Sequence, residues 1–68
     1  MLIQFTNDKG KRLFIESTMI EAIYLSIDPA LVTIVTAGSE TSYHVQGKLV
    51  DVATEVERTN QKHAGLYR

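Results

Sequence analysis

Few side chains in this sequence can do covalent or acid–base chemistry. The 68-residue chain has two histidines, His44 and His63, and no cysteine. Nucleophilic catalysis needs a hydroxyl or thiol, a base within hydrogen-bond reach, and a third group that orients the base. Ser26, Thr33 and His44 are the candidates to share a surface. All three fall in regular strand-like runs, without the strained elbow that exposes a catalytic serine and with no carboxylate assigned behind the imidazole. The chain is therefore not expected to be an enzyme. The two histidines are far apart in sequence and no carboxylate completes a metal-ligand spacing, so neither a metal site nor a cofactor is expected. No glycine-rich phosphate loop is present. Lys9, Lys11 and Arg12 form a small basic cluster able to hold an anion, although three charges on a turn read first as a solvated tip.

Charge and size narrow the classes further. Seven basic and eight acidic residues leave a net charge of -1. That balance gives no long-range field of the kind that draws nucleic acids or anionic membranes. No apolar run approaches the roughly 20 residues needed to span a bilayer. The opening Met1-Leu2-Ile3-Gln4-Phe5 lacks the basic and apolar regions of a signal peptide, so a soluble cytoplasmic protein without a membrane partner is expected. A domain of this size buries only about 60% of its unfolded surface, so its stability is marginal. Without cysteines to form disulfides, oligomerisation is the remaining aid.

The elements that would position these groups follow from periodicity. Leu2 to Thr6 and Arg12 to Glu16 are β-prone runs around Asn7-Asp8-Lys9-Gly10-Lys11, where Gly10 suits the left-handed position closing a three-residue hairpin loop. With Asp8-Lys9-Gly10 as the loop, Phe5 faces Leu13 and Ile3 faces Ile15. Leu2, Gln4, Arg12 and Phe14 then take the opposite face. Thr18 and Glu21 match a capping-box spacing, consistent with one helical turn in the connector. A strand is expected from Ile20 to Ile27, ended by Asp28-Pro29-Ala30. Further strands are expected over Leu31 to Thr36 and Thr41 to Val45, joined by Ala37-Gly38-Ser39-Glu40. Turns centred on Pro29-Ala30 and Gly38-Ser39 put Ile27, Val32 and Val45 in one row and Leu25, Ile34 and Tyr43 in the next. Leu49, Val52, Ala53 and Val56 follow the i, i+3, i+4, i+7 pattern of an amphipathic helix of about three turns.

The expected fold is thus α+β and β-rich: a small twisted antiparallel sheet of about five strands in two hairpin-type units, with one C-terminal amphipathic helix on one face. Residues 1–59 form a single domain. Residues 60–68 read as a polar tail, with Leu66 and Tyr67 as its only anchors. The same registers place Tyr24, Val35 and Ser42 in one row, and Ser26, Thr33 and His44 in the next, on the face the helix leaves open. Leu2 and Phe14 are candidates to join them. A face mixing Leu, Phe, Tyr and Val with hydroxyls and an imidazole has the character of a binding surface for a partner or ligand.

Gly10-Lys11-Arg12-Leu13-Phe14-Ile15, Ile20-Glu21-Ala22-Ile23, Asp28 to Ile34, Tyr43-His44-Val45 and Leu49 to Val56 follow one another as in the small flagellar FlbD (swarming-motility) family, which the chain resembles over most of residues 1–58. Gln46-Gly47-Lys48 departs from the Glu-Ser that usually opens that family's helix, and Asp28-Pro29-Ala30 from its Pro-Asp-Thr turn. The resemblance implies a cytoplasmic accessory protein that acts by protein contact and has no catalytic residues. Met1-Leu2-Ile3 and the strands-then-helix order are also similar to the CsrA family of RNA-binding regulators, which are intertwined dimers. Gln4, Thr6 and Asn7 stand where basic RNA contacts would be needed, so nucleic acid is disfavoured as a partner.

The function expected from the sequence is a non-catalytic, homo-oligomeric interaction or regulatory protein that binds through the uncovered sheet face. Alternatives are a protein that binds or sequesters a small, nucleotide-like molecule between subunits, as short phage proteins do, and an RNA-binding regulator.

Overall fold

The structure, a computed structural model, describes residues 1–38 and 42–65. The expectations that fall on Ser39, Glu40, Thr41, Leu66 and Tyr67 lie outside the described residues. The chain order is β1 (Leu2–Thr6), β2 (Arg12–Glu16), a 3-10 turn (Ser17–Met19), β3 (Ile20–Leu25), β4 (Leu31–Thr36), β5 (Ser42–Gln46) and α1 (Leu49–Gly65).

The first hairpin has the expected loop and register. Phe5 pairs with Leu13 and Ile3 with Ile15. Asn7 organises the turn: its Oδ1 accepts from the amides of Lys9 at 2.9 Å and Lys11 at 2.8 Å, and Gly10 closes it at φ 81°. Lys9, Lys11 and Arg12 all lie exposed around this tip. The 3-10 turn forms in the connector, but its cap is Glu16, whose carboxylate accepts from the Thr18 amide; the expected Thr18 cap is not used. The Met1 amine also contacts that carboxylate, and together with the backbone amides holds the Glu16 pKa below its ordinary value.

The five strands form two antiparallel sheets, β1-β2 and β3-β4-β5, where one was expected. A single bridge, Asn7 to Val45, links them. The physical reason lies in the core. Ile3, Phe5 and Ile15 of the hairpin pack into one cluster with Val32, Ile34 and Val45 of the second sheet and with Val52 and Val56 of α1. The hairpin must turn its apolar face onto the sheet to reach them, and one continuous ladder would have left the two faces side by side.

The β4-β5 register matches expectation, with Val32 opposite Val45, Thr33 opposite His44, Ile34 opposite Tyr43 and Val35 opposite Ser42. Gly38 takes the expected positive φ in the turn between them. The β3-β4 register is shifted by two residues: Leu25 faces Val32, and Ile23 faces Ile34. The turn causes this shift. Pro29 has no N–H to give a ladder, Asp28 Oδ1 accepts from the Ala30 amide at 2.9 Å, and Leu31 N–H donates to Asp28 O at 3.0 Å. These bonds lift Ile27 out of the strand, which ends at Leu25. Ile27 is fully exposed instead of buried beside Val32, and Leu25 is 57% exposed.

Helix α1 docks through Val52 and Val56, with Leu49 half-buried beside them. Ala53, expected on the buried stripe, faces solvent. The stripe continues at Thr59 and Asn60, both half-buried, and Asn60 Nδ2 donates to Ser17 O at 3.4 Å. That tertiary contact lies where a polar tail was expected, and the 17-residue helix runs on to Gly65. None of the helices among the described residues is long and apolar enough to cross a membrane.

Candidate functional site

The open face of the second sheet carries the candidate site. Tyr24 on β3, Thr33 on β4 and His44 on β5 stand in one cross-strand row. Because side chains alternate along a strand, all three project from the side opposite Val32, Ile34 and Val45. Ser26 lies just beyond β3, where its N–H still donates to Leu31 O at 3.3 Å, and its side chain folds back toward Thr33.

Three polar groups converge there. Ser26 Oγ and Thr33 Oγ1 are 2.6 Å apart, and His44 Nδ1 lies 3.1 Å from the Thr33 hydroxyl and 3.4 Å from that of Ser26. Thr33 is only 2% exposed although no helix covers it, because its cross-strand neighbours enclose it. Two proton arrangements satisfy this network. With His44 protonated on Nε2, Ser26 donates to Thr33, Thr33 donates to Nδ1, and Nε2–H is left as an outward donor. With His44 protonated on Nδ1, the chain reverses, and the site presents the Ser26 hydroxyl as donor and Nε2 as acceptor. The cluster can thus meet either a donor or an acceptor.

These groups line an open depression of about 390 Å³, together with Asp8, Tyr24, Leu25, Ile27, Asp28 and Leu31. The volume is at the small end of the range for ligand sites. Asp8 comes from the first hairpin and is held here by its amide, which donates to His44 O at 3.1 Å. Two carboxylates and, among the described residues, no lysine or arginine line the depression. Among the described residues no group of three or more His, Asp or Glu side chains could hold a metal ion.

The residues expected to bind a partner or ligand divide into three places, apart from Lys9, Lys11 and Arg12 at the hairpin tip. Tyr24, Ser26, Thr33 and His44 meet at the depression. Val35 and Ser42 form the next row toward the β4-β5 turn, both half-buried, with Ala22 rather than Tyr24 opposite Val35. Leu2 and Phe14 lie exposed on the outer face of the hairpin, which belongs to the other sheet, and do not line the depression. Sequence reasoning missed Asp8, Leu25, Ile27, Asp28 and Leu31. The Asp28-Pro29 turn was a usable signal for the last three, because a side-chain-capped turn there places Ile27 outside the ladder.

Comparisons with protein-family models, with curated proteins and with solved structures gave no match.

Proposed function

We propose that this chain is a small non-catalytic interaction module that assembles with copies of itself through the surface around β3, including the sheet face that α1 leaves open. The observation that carries the reading is the state of the β3 edge. Among the described residues, β3 is hydrogen-bonded to β4 on one side and to no strand on the other. Ser26 N–H points toward β4, so by the alternation of an antiparallel ladder the amide groups of Ile23 and Leu25 point away from it. Proteins that stay monomeric blunt such edges with lysines, prolines, inward charges or bulges; the register shift of β3 lies at its start, between Ile20 and Ala22 beside Glu21, and Ile23 to Leu25 pair regularly with β4. Here the sequence is Ile-Glu-Ala-Ile-Tyr-Leu, with Tyr24 50% and Leu25 57% exposed. A second β3 running antiparallel is self-complementary in hydrogen bonding. It would join two three-stranded sheets into one and cover apolar surface that a domain with so small a core leaves in water.

The test is Leu25→Lys, which places a charge on the edge without touching the buried cluster. The variant is expected to sediment as a monomer while keeping the far-UV circular dichroism and melting cooperativity of the wild-type subunit. A wild-type protein that sediments as a monomer at roughly millimolar concentration, weaker than specific association requires, overturns the proposal.

A second reading, binding of a small molecule, is favoured by the depression at Ser26, Thr33 and His44. Its two carboxylates turn that reading away from the nucleotide-like ligand expected from sequence, since a phosphate would meet repulsion there.

A further inference from the structure

We propose that the depression at the end of β3 is a binding site for a small organic cation, a protonated amine carried on an apolar or aromatic body. The inference deepens the small-molecule reading and does not depend on self-association.

The lining of the depression is chemically complementary to such a cation. Tyr24, Leu25, Ile27 and Leu31 give the depression apolar walls, which need an apolar body to displace water from them. Asp8 and Asp28 are the carboxylates that line it among the described residues. Asp28 uses Oδ1 to hold the Ala30 amide, which fixes the carboxylate in place, and no hydrogen-bond partner among the described residues takes Oδ2. Among the described residues no lysine or arginine lines the depression to neutralise the two acids. An ammonium group is complementary to both acids, and the half-exposed Tyr24 on the same lining is an aromatic surface of the kind that attracts a cation. The Ser26-Thr33-His44 chain then supplies a hydrogen bond of either polarity to a further polar group on the ligand. Because Thr33 is buried, that chain is already ordered before a ligand arrives, so little is lost in organising it.

The probes are 2-phenylethylamine, 2-phenylethanol and phenylacetate, which share an apolar body and differ in charge. Each is titrated into the full chain while amide resonances are followed by NMR. The amine is expected to give saturable shifts at Ser26, Thr33 and His44 with roughly millimolar affinity. The alcohol should bind about three- to ten-fold more weakly, the range that two partly exposed charge contacts supply, and phenylacetate more weakly still. Asp28→Asn keeps the turn, since an asparagine oxygen accepts the Ala30 amide equally well, and with Asp8 still charged it should weaken the amine about two- to three-fold, narrowing its lead over the alcohol.

Equal or tighter binding of phenylacetate overturns the proposal. So does unchanged amine affinity in Asp28→Asn, or the absence of saturable shifts with the amine up to about 10 mM, beyond which a specific site of this size has no meaning. Sedimentation of the same samples keeps the two readings apart. A monomer that binds the amine overturns self-association alone, and an oligomer indifferent to the amine overturns this site alone.

Discussion

Replacing Val52 with aspartate should unfold the domain, while the same replacement one residue later should leave it standing. Val52 is 6% exposed and belongs to the single buried cluster that joins α1, the hairpin and the second sheet. Removing a buried valine forfeits about 1.5 to 3 kcal/mol of apolar burial. Placing a carboxylate there adds several kcal/mol of desolvation, or forces its protonation. The favourable position of an acid near a helix N-terminus returns only about 0.3 to 1 kcal/mol. A chain of 68 residues has a net stability of roughly 3 to 10 kcal/mol, so Val52→Asp removes most or all of it. Ala53 is exposed, and Ala53→Asp loses only helix propensity, up to about 0.7 kcal/mol, or a few degrees of melting temperature. The assay is thermal unfolding followed by far-UV circular dichroism at several protein concentrations, because assembly of the native state raises the apparent melting temperature. A Val52→Asp protein that melts with the wild type, or two variants that fall equally, would refute the docking of α1 described above.

Further outcomes follow from the turns and the chain start. Gly10→Ala should cost about 1 to 2 kcal/mol by urea titration with the slope unchanged, since an added Cβ meets no atom within 4 Å and the loss is purely that of the φ of +81°. An unchanged midpoint would mean that the hairpin does not close through a left-handed residue. Glu16 has its pKa lowered, so whatever its contact with the Met1 amine contributes is present above the unfolded value near 4.5 and is lost as pH falls through the folded value. Glu16→Gln should therefore lower the melting temperature slightly near neutral pH and not at about pH 2, where both proteins carry a neutral side chain. An equal deficit at both pH values would assign the effect to something other than charge.

Much of this architecture was legible in the sequence, and each exception has a cause that the alternation of residues along one element does not carry. The β1-β2 and β4-β5 registers follow from turn residues and from keeping Ile3, Phe5 and Ile15, or Val32 and Val45, on one face. The β3-β4 register was not legible from the same rule, because a shift of two residues leaves every side chain on its original face. The bonds around Asp28 and Pro29 decide it, and they move Ile27 from core to surface. Ala53 was misplaced for a similar reason. Positions three and four residues beyond Leu49 both fit a helical stripe, and only the docking angle of α1 selects Val52. Beyond Thr59 the helix carries the contact of Asn60 with Ser17, 43 residues apart in sequence, which leaves no local trace. At the candidate site, Ser26, Thr33 and His44 were predictable as neighbours because the β3 error preserved their face. Asp8 was not, since a single amide bond to His44 O brings it there from the other sheet.

Amide hydrogen exchange at Ile23 and Leu25, measured over a range of protein concentrations, reads the state of the β3 edge itself. Their N–H groups point away from β4, and among the described residues no strand lies beside them in the isolated subunit. Pairing of β3 with β3 of a second copy predicts that both amides become protected as concentration rises, in step with the appearance of the oligomer. Rapid exchange at both positions at every concentration, in a protein whose Val32 and Ile34 amides stay protected, would contradict it.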